Sequence, residues 1–183
     1  RIWDASTGKL VVPPLRHKEK HVSLVNFSPC GNWLISVGLD SDKINVWDVK
    51  TGRKLPMEFS VPGEKITAAE FSPCGKYLIT GTHMLTAYIW DFKEGKLAFP
   101  ELSHTSSVSA VKFSNDGKNV LTAARAGQVR IWDIAGWKGE PRVRVSSLIR
   151  HNAAVSGAIF SPDSKLTLSY STDSTAKVMD VLS

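Results

Sequence analysis

The chain has 183 residues, 42% of them hydrophobic and 22% charged, with 23 Lys+Arg against 17 Asp+Glu for a net charge of +6. That balance suits a soluble globular domain and excludes a disordered tail, a collagen-like rod and a disulfide-stapled miniprotein. No apolar run approaches the ~18–20 residues of a membrane span, no start reads as a signal peptide, and no like-charge run reaches five residues. The chain opens on Arg1 rather than Met, and it is expected to be a slice of something longer.

In chain order, residues 1–4 (Arg-Ile-Trp-Asp) read as the end of a strand. The turn at Ser6, Thr7 and Gly8 leads into a stretch holding Pro13 and Pro14, which suits an outer edge strand because Pro cannot donate to an interior ladder. Val22, Val25 and Phe27 mark the next strand. Val25 and Phe27 share a face, whereas Val22 stands three residues from Val25 and joins them only if one residue is inserted, so a β-bulge is predicted at the start. Ser28-Pro29-Cys30-Gly31 supplies a turn, with Pro fixing φ and Gly accepting a positive one. Trp33 to Ser36 forms a second strand, and Ile44 and Val46 alternate into Trp47-Asp48 as a third.

The same order then recurs. Trp-Asp appears at residues 3, 47, 90 and 132, with a degenerate Met179-Asp180, at steps of 44, 43, 42 and 47 residues. A second marker, Phe27-Ser28-Pro29, returns as Phe71-Ser72-Pro73, Phe113-Ser114-Asn115 and Phe160-Ser161-Pro162, always 19 or 20 residues before the Trp or Met. Two markers holding one phase through four copies define a repeat array of approximately 5–48, 49–91, 92–133 and 134–180, within one domain spanning 1–183. Four short strands per unit with no helical periodicity describe a propeller blade, and the fold class is therefore all-β.

These residues resemble the WD40-repeat family over essentially the whole chain, and the proline-containing outer stretches are similar to bacterial WD40 arrays. The resemblance implies four-stranded antiparallel blades in a ring of seven or eight, of which this chain supplies about half. Further blades of a parent chain or a second copy are then needed to close it. It also implies a hydrogen-bonded tetrad of His, Ser/Thr, Asp and Trp in each blade, structural rather than catalytic. Carried over, the members are His17, Ser36, Asp40 and Trp47; Thr80 and Trp90; His104, Thr122 and Trp132; and His151, Ser169 and Asp173. Repeat two has Pro62 at the expected His position and Met84 at the Asp position; Ala126 replaces the Asp of repeat three and Met179 the Trp of repeat four. Repeat one carries one extra residue between Asp40 and Trp47.

Candidate chemistry is sparse. Cys30 and Cys74 occupy equivalent turns of adjacent repeats, an arrangement that predicts free thiols in a reducing compartment and hence a cytoplasmic protein. The histidines lie in different repeats without ligand-pair spacing, so no metal or other cofactor is expected. No P-loop, Rossmann fingerprint or nucleophile elbow occurs, and no catalytic residue is assigned; the chain is read as not an enzyme. What remains is a surface. In WD40 proteins partners commonly bind the ring face that bears the entry to the first strand and the turn before the third. By register those positions are His21, Ser23, Lys65, Thr67, Ser107, Ser109, Ala154 and Ser156, with Leu39, His83, Arg125 and Thr172 in the turns. The set is polar and mildly basic, compatible with a protein or peptide carrying an acidic or phosphorylated segment. A non-catalytic scaffold that recruits partner proteins is the primary reading. The alternatives are a nucleic-acid-binding propeller using the basic rim and Trp137, which sits near Lys138, Arg142 and Arg144, and an accessory domain of a larger bacterial kinase or effector.

Overall fold

A computed structural model describes residues 1–18, 21–135 and 149–181. Among them no helix occurs, and the chain is a series of antiparallel sheets. The first holds β1 (Val22–Phe27), β2 (Trp33–Gly38), β3 (Lys43–Asp48) and β4 (Phe59–Ser60) in that order. The second holds β5 (Ile66–Phe71), β6 (Tyr77–Thr82), β7 (Thr86–Asp91) and β8 (Lys96–Leu97), with β9 (Leu102–Ser103) also pairing β7. The third orders β10 (Val108–Phe113), β11 (Asn119–Ala124), β12 (Gln128–Asp133) and β13 (Ile149–Arg150). The fourth has three strands among the described residues, β14 (Val155–Phe160), β15 (Leu166–Ser171) and β16 (Ala176–Asp180).

Each inner strand carries a register shift where the apolar spacing places it: between Val22 and Leu24, Ile66 and Ala68, Val108 and Ala110, and Val155 and Gly157. The bulge brings the first apolar residue onto the face of the others. The turns that follow use the left-handed conformation at Gly31, Gly75 and Gly117, with φ of 72°, 71° and 70°, which glycine adopts without a Cβ clash.

Blades stack through faces that are apolar on both sides. Ile35, Val37, Val46 and Phe59 of the first sheet meet Phe71, Leu78, Trp90 and Phe92 of the second. Ile79, Ile89 and Leu102 meet Val108, Val111 and Trp132, and Leu121, Val129 and Ile149 meet Val155 and Ala158. Polar stitches cross the same junctions. Thr67 donates its hydroxyl to the Val108 carbonyl (2.6 Å), Ser109 donates to Val155 (2.7 Å), and Glu70 accepts from Lys112 Nζ and the Phe113 amide.

The tetrad positions are assembled to different extents. Trp47, Trp90 and Trp132 each donate Nε1–H to the hydroxyl of Ser36, Thr80 and Thr122, at 2.6, 3.0 and 2.8 Å. In the fourth blade His151 Nε2 lies 2.9 Å from the Ser169 hydroxyl, and its Nδ1 faces Asp173 (3.2 Å) and Thr175 (3.0 Å). In the first blade His17 Nε2 reaches Ser36 at 2.9 Å. Its Nδ1 meets the Asn45 amide (3.2 Å), while Asp40 turns its carboxylate to Lys65 (3.0 Å). Asp40 is thus displaced from the acid position that the resemblance implies, because the extra residue before Trp47 lets it bend outward at φ 62°. In the second blade the residue after β4 is Val61, buried in the core, so Val61 and not Pro62 occupies the histidine's place.

His104 is the exception. It is buried against the Trp132 ring (centroids 5.9 Å apart), and neither ring nitrogen has a hydrogen-bond partner. The missing acid at Ala126 accounts for the orphaned nitrogen on that side. Ala126→Asp places a carboxylate where Asp173 serves His151, and we expect it to raise stability by about 1–2 kcal/mol, as a charge-assisted bond to a buried donor does. Urea unfolding at neutral pH measures this; an unchanged or lower midpoint contradicts it.

Candidate functional site: the ring mouth

Four equivalent backbone hydrogen bonds build the mouth. The residue after each second strand donates its N–H to the carbonyl of the residue just before the inner strand: Leu39 to His21, His83 to Lys65, Arg125 to Ser107 and Thr172 to Ala154, all 2.8–3.0 Å. These clamps hold four turns at one end of the sheets. Between them lies a cavity of about 650 Å³ lined from all four blades. Of the twelve positions assigned to this face, Ser23, Leu39, Lys65, Thr67, His83, Ser109, Arg125, Ala154, Ser156 and Thr172 line it, joined by Asp40. His21 and Ser107 contribute through their carbonyls to the clamps.

The hydroxyls here are largely committed to backbone. Ser23 donates to Val37, Thr67 to Val108, Ser109 to Val155 and Thr172 to Ala154. They present lone pairs to the cavity rather than protons, so recognition of an anion falls on the nitrogen groups. His83 Nδ1 accepts the Lys65 N–H at 2.9 Å, which leaves Nε2 as the protonated, outward donor of the neutral ring. Lys65 pairs with Asp40 at 3.0 Å, but both side chains are more than half exposed, and such a pair contributes only about 0–1 kcal/mol and exchanges readily. Arg125 has no carboxylate partner among the described residues. The basin therefore offers two cations and a neutral imidazole donor against one carboxylate. Asp40 belongs to this site and was assigned elsewhere from the sequence; the one-residue insertion before Trp47 is the signal that separates it from the tetrad.

Cys30 and Cys74 are free and exposed, each with its thiol 3.4 Å from the serine hydroxyl two residues earlier. Asp116 and Asp163 take that place in the third and fourth blades, accepting from Ser114 and Ser161 at 2.6 Å. The thiols stand in for a turn-closing carboxylate. Among the described residues no group of three His, Cys, Asp or Glu could hold a metal ion, and no helix is long and apolar enough to cross a membrane. The patch around Trp137, Lys138, Arg142 and Arg144 lies outside the described residues.

In-phase four-stranded blades, stacked face to face and pinned by Trp–hydroxyl bonds, define a β-propeller segment. The model of the WD domain, G-beta repeat family matches residues 12–48, 99–133 and 142–180, and the chain belongs to the WD40 family. The unmatched interval contains the blade with Val61 and Met84 at two tetrad positions. Among curated proteins the chain is similar to WD repeat-containing protein 1 of Gallus gallus, 36% identical over 102 residues, which is 56% of this chain and 16% of that protein. It is similar also to the GATOR2 complex protein WDR59 of Gallus gallus (34% over 84 residues, 46% of this chain) and of Homo sapiens (34% over 84 residues). The matched stretch is 8% of either WDR59, so the chain spans only a small part of the length of these relatives. The crystal structure of the computationally designed Ika4 protein superposes with a TM-score of 0.78 at 24% identity, covering 96% of this chain and 99% of that one, and supports the fold alone. The family and these relatives support an interaction-scaffold role in general terms.

Proposed function

We propose that this chain is a non-catalytic scaffold whose mouth holds an acidic or phosphorylated segment of a partner protein. The supporting observation is the convergence of Arg125, Lys65 and the outward Nε2 of His83 on one basin of about 650 Å³, with only Asp40 opposing them. A phosphate or carboxylate entering the basin displaces Asp40 from Lys65 at little cost and gains charge-assisted bonds to both cations. The cytoplasm, where the exposed thiols of Cys30 and Cys74 stay reduced, is the compartment this reading favours.

An array of acidic and phosphorylated peptides probed with the purified chain tests it, with fluorescence anisotropy of the strongest binder as the quantitative step. Arg125→Ala and Lys65→Ala are each expected to weaken that peptide roughly 5- to 20-fold, about 1–2 kcal/mol, with thermal stability unchanged. Binding that survives both substitutions, or an array with no acidic preference, overturns the assignment.

A further inference from the structure

We propose that the third blade binds a carboxylate from outside the chain, a small carboxylate ion or the side chain of a partner's Asp or Glu, at the acid position that Ala126 leaves vacant beside His104. His104 is only 6% exposed, and its two ring nitrogens are the buried side-chain polar atoms left without a hydrogen-bond partner among the described residues. A buried donor of this kind carries a desolvation cost that a bound acceptor recovers.

The fourth blade shows which acceptor fits. The two blades share one register: Thr122 pairs Arg130 and Ala123 pairs Val129, as Ser169 pairs Lys177 and Tyr170 pairs Ala176. Ala126 therefore stands at the position of Asp173, and Gln128 at that of Thr175. The residue between them is left-handed in both, Gly127 at φ 83° and Ser174 at φ 65°. The histidine backbones are held alike as well, His104 N–H donating to the Leu85 carbonyl and His151 N–H to that of Gly127. In the fourth blade the Asp173 carboxylate lies 3.2 Å from His151 Nδ1 and accepts from the Asn152 amide (2.8 Å) and the Thr175 hydroxyl (2.6 Å).

The third blade keeps a counterpart of each of these donors and lacks only the acid. His104 supplies the ring, and Thr105 the amide that follows it. Gln128 accepts from Arg130 through Oε1, which leaves its Nε2 protons to give. The Ser106 hydroxyl accepts the Ala126 N–H at 2.7 Å and has its own proton to offer. Thr105 and Ala126 are exposed, so the position opens to solvent. The Arg130 charge, close enough to hold down the His104 pKa, favours an anion there. The first two blades answer the same loss internally. Asn45 meets His17 Nδ1 where Asp40 has turned away, and in the second blade, which has no such histidine, Glu64 accepts from Thr82 and Tyr88.

Titration of the ¹⁵N-histidine-labelled protein with sodium formate at pH 7, against sodium chloride at equal ionic strength, tests this by the ring-nitrogen signals. A ligand of three non-hydrogen atoms binds no tighter than about 0.5 mM, so formate is carried to ~100 mM. The His104 signals are expected to shift and saturate in formate alone, while those of His151, whose acid is in place, stay still. Ala126→Asp is expected to abolish the response and Gln128→Ala to weaken it roughly 3- to 10-fold. The amide of N-acetylaspartate, titrated in parallel, separates the two sources: a response to both probes admits a partner's side chain, and a response to formate alone restricts the site to small ions. His104 signals unmoved by either carboxylate, a response shared equally by His151, or one that persists unchanged in Ala126→Asp or Gln128→Ala overturns the proposal.

Discussion

Phe59→Ala is expected to lower the unfolding free energy by about 3–5 kcal/mol, the range for deleting a fully buried aromatic ring. Phe59 lies in the two-residue strand β4, yet it has no exposed surface. Its ring stacks on Phe92 at 5.6 Å and meets the edge of Trp90 at 5.9 Å, so one side chain of the first blade fills a hole in the second. Removing it leaves a cavity between two sheets that other blades hold at fixed spacing, and the site cannot collapse. Because domains of this size retain only about 5–15 kcal/mol in total, the shift in urea midpoint is large. Leu97→Ala, in the equally short but exposed β8, is the matched control and is expected to change stability by less than about 0.5 kcal/mol. Similar effects for the two contradict the packing argument.

The second large effect is a dependence on pH. Burial, and to a lesser degree the Arg130 charge, hold the His104 imidazole neutral by lowering its pKa from 6.5 to about 4. The folded state therefore binds fewer protons than the unfolded chain between those values, and stability rises with pH across the window. The contribution is complete above pH 6.5 and is lost as pH falls: about 2 kcal/mol by pH 5 and about 3 by pH 4. Carboxylates such as Asp173, lowered chiefly by the Thr175 hydroxyl, lose their contribution only at more acid pH, so the two phases separate. Urea midpoints between pH 7.5 and 4.5 measure the first phase, and His104→Leu is expected to flatten it. Ala126→Asp is expected to shrink it as well, by giving the protonated ring a partner. A slope that persists in His104→Leu assigns the dependence to another group.

Much of this architecture is legible in the residues because the repeat exposes it. The spacing Val22, Val25, Phe27 and its copies locates four bulges, and the Trp-Asp phase locates four third strands, since a two-residue side-chain period leaves no other way to bring those positions to one face. The mouth is legible for the same reason: its lining residues hold fixed offsets from the inner strand, and equal backbone clamps carry those offsets into space. What escapes is decided by loop length. Asp40 sits at an acid position by analogy, but one inserted residue swings it to Lys65, and Asn45 meets His17 instead. Val61 displaces Pro62 because strand pairing, not distance to the next strand, sets the histidine position. The serine and threonine hydroxyls of the mouth resemble ligand donors by type. Only the placement of the next blade reveals that the protons of Thr67 and Ser109 go to its backbone carbonyls, while those of Ser23 and Thr172 go to carbonyls of their own blades.

The most direct test of the mouth as the recognition surface is amide hydrogen exchange of the chain with and without the strongest acidic or phosphorylated peptide from the array. Ligand held by Lys65, His83 and Arg125 predicts slowed exchange in the turns at Leu39, His83, Arg125 and Thr172 together, since one occupant touches all four blades. Protection confined to the outer strands, or to the turns at Cys30 and Cys74 on the opposite end, contradicts it.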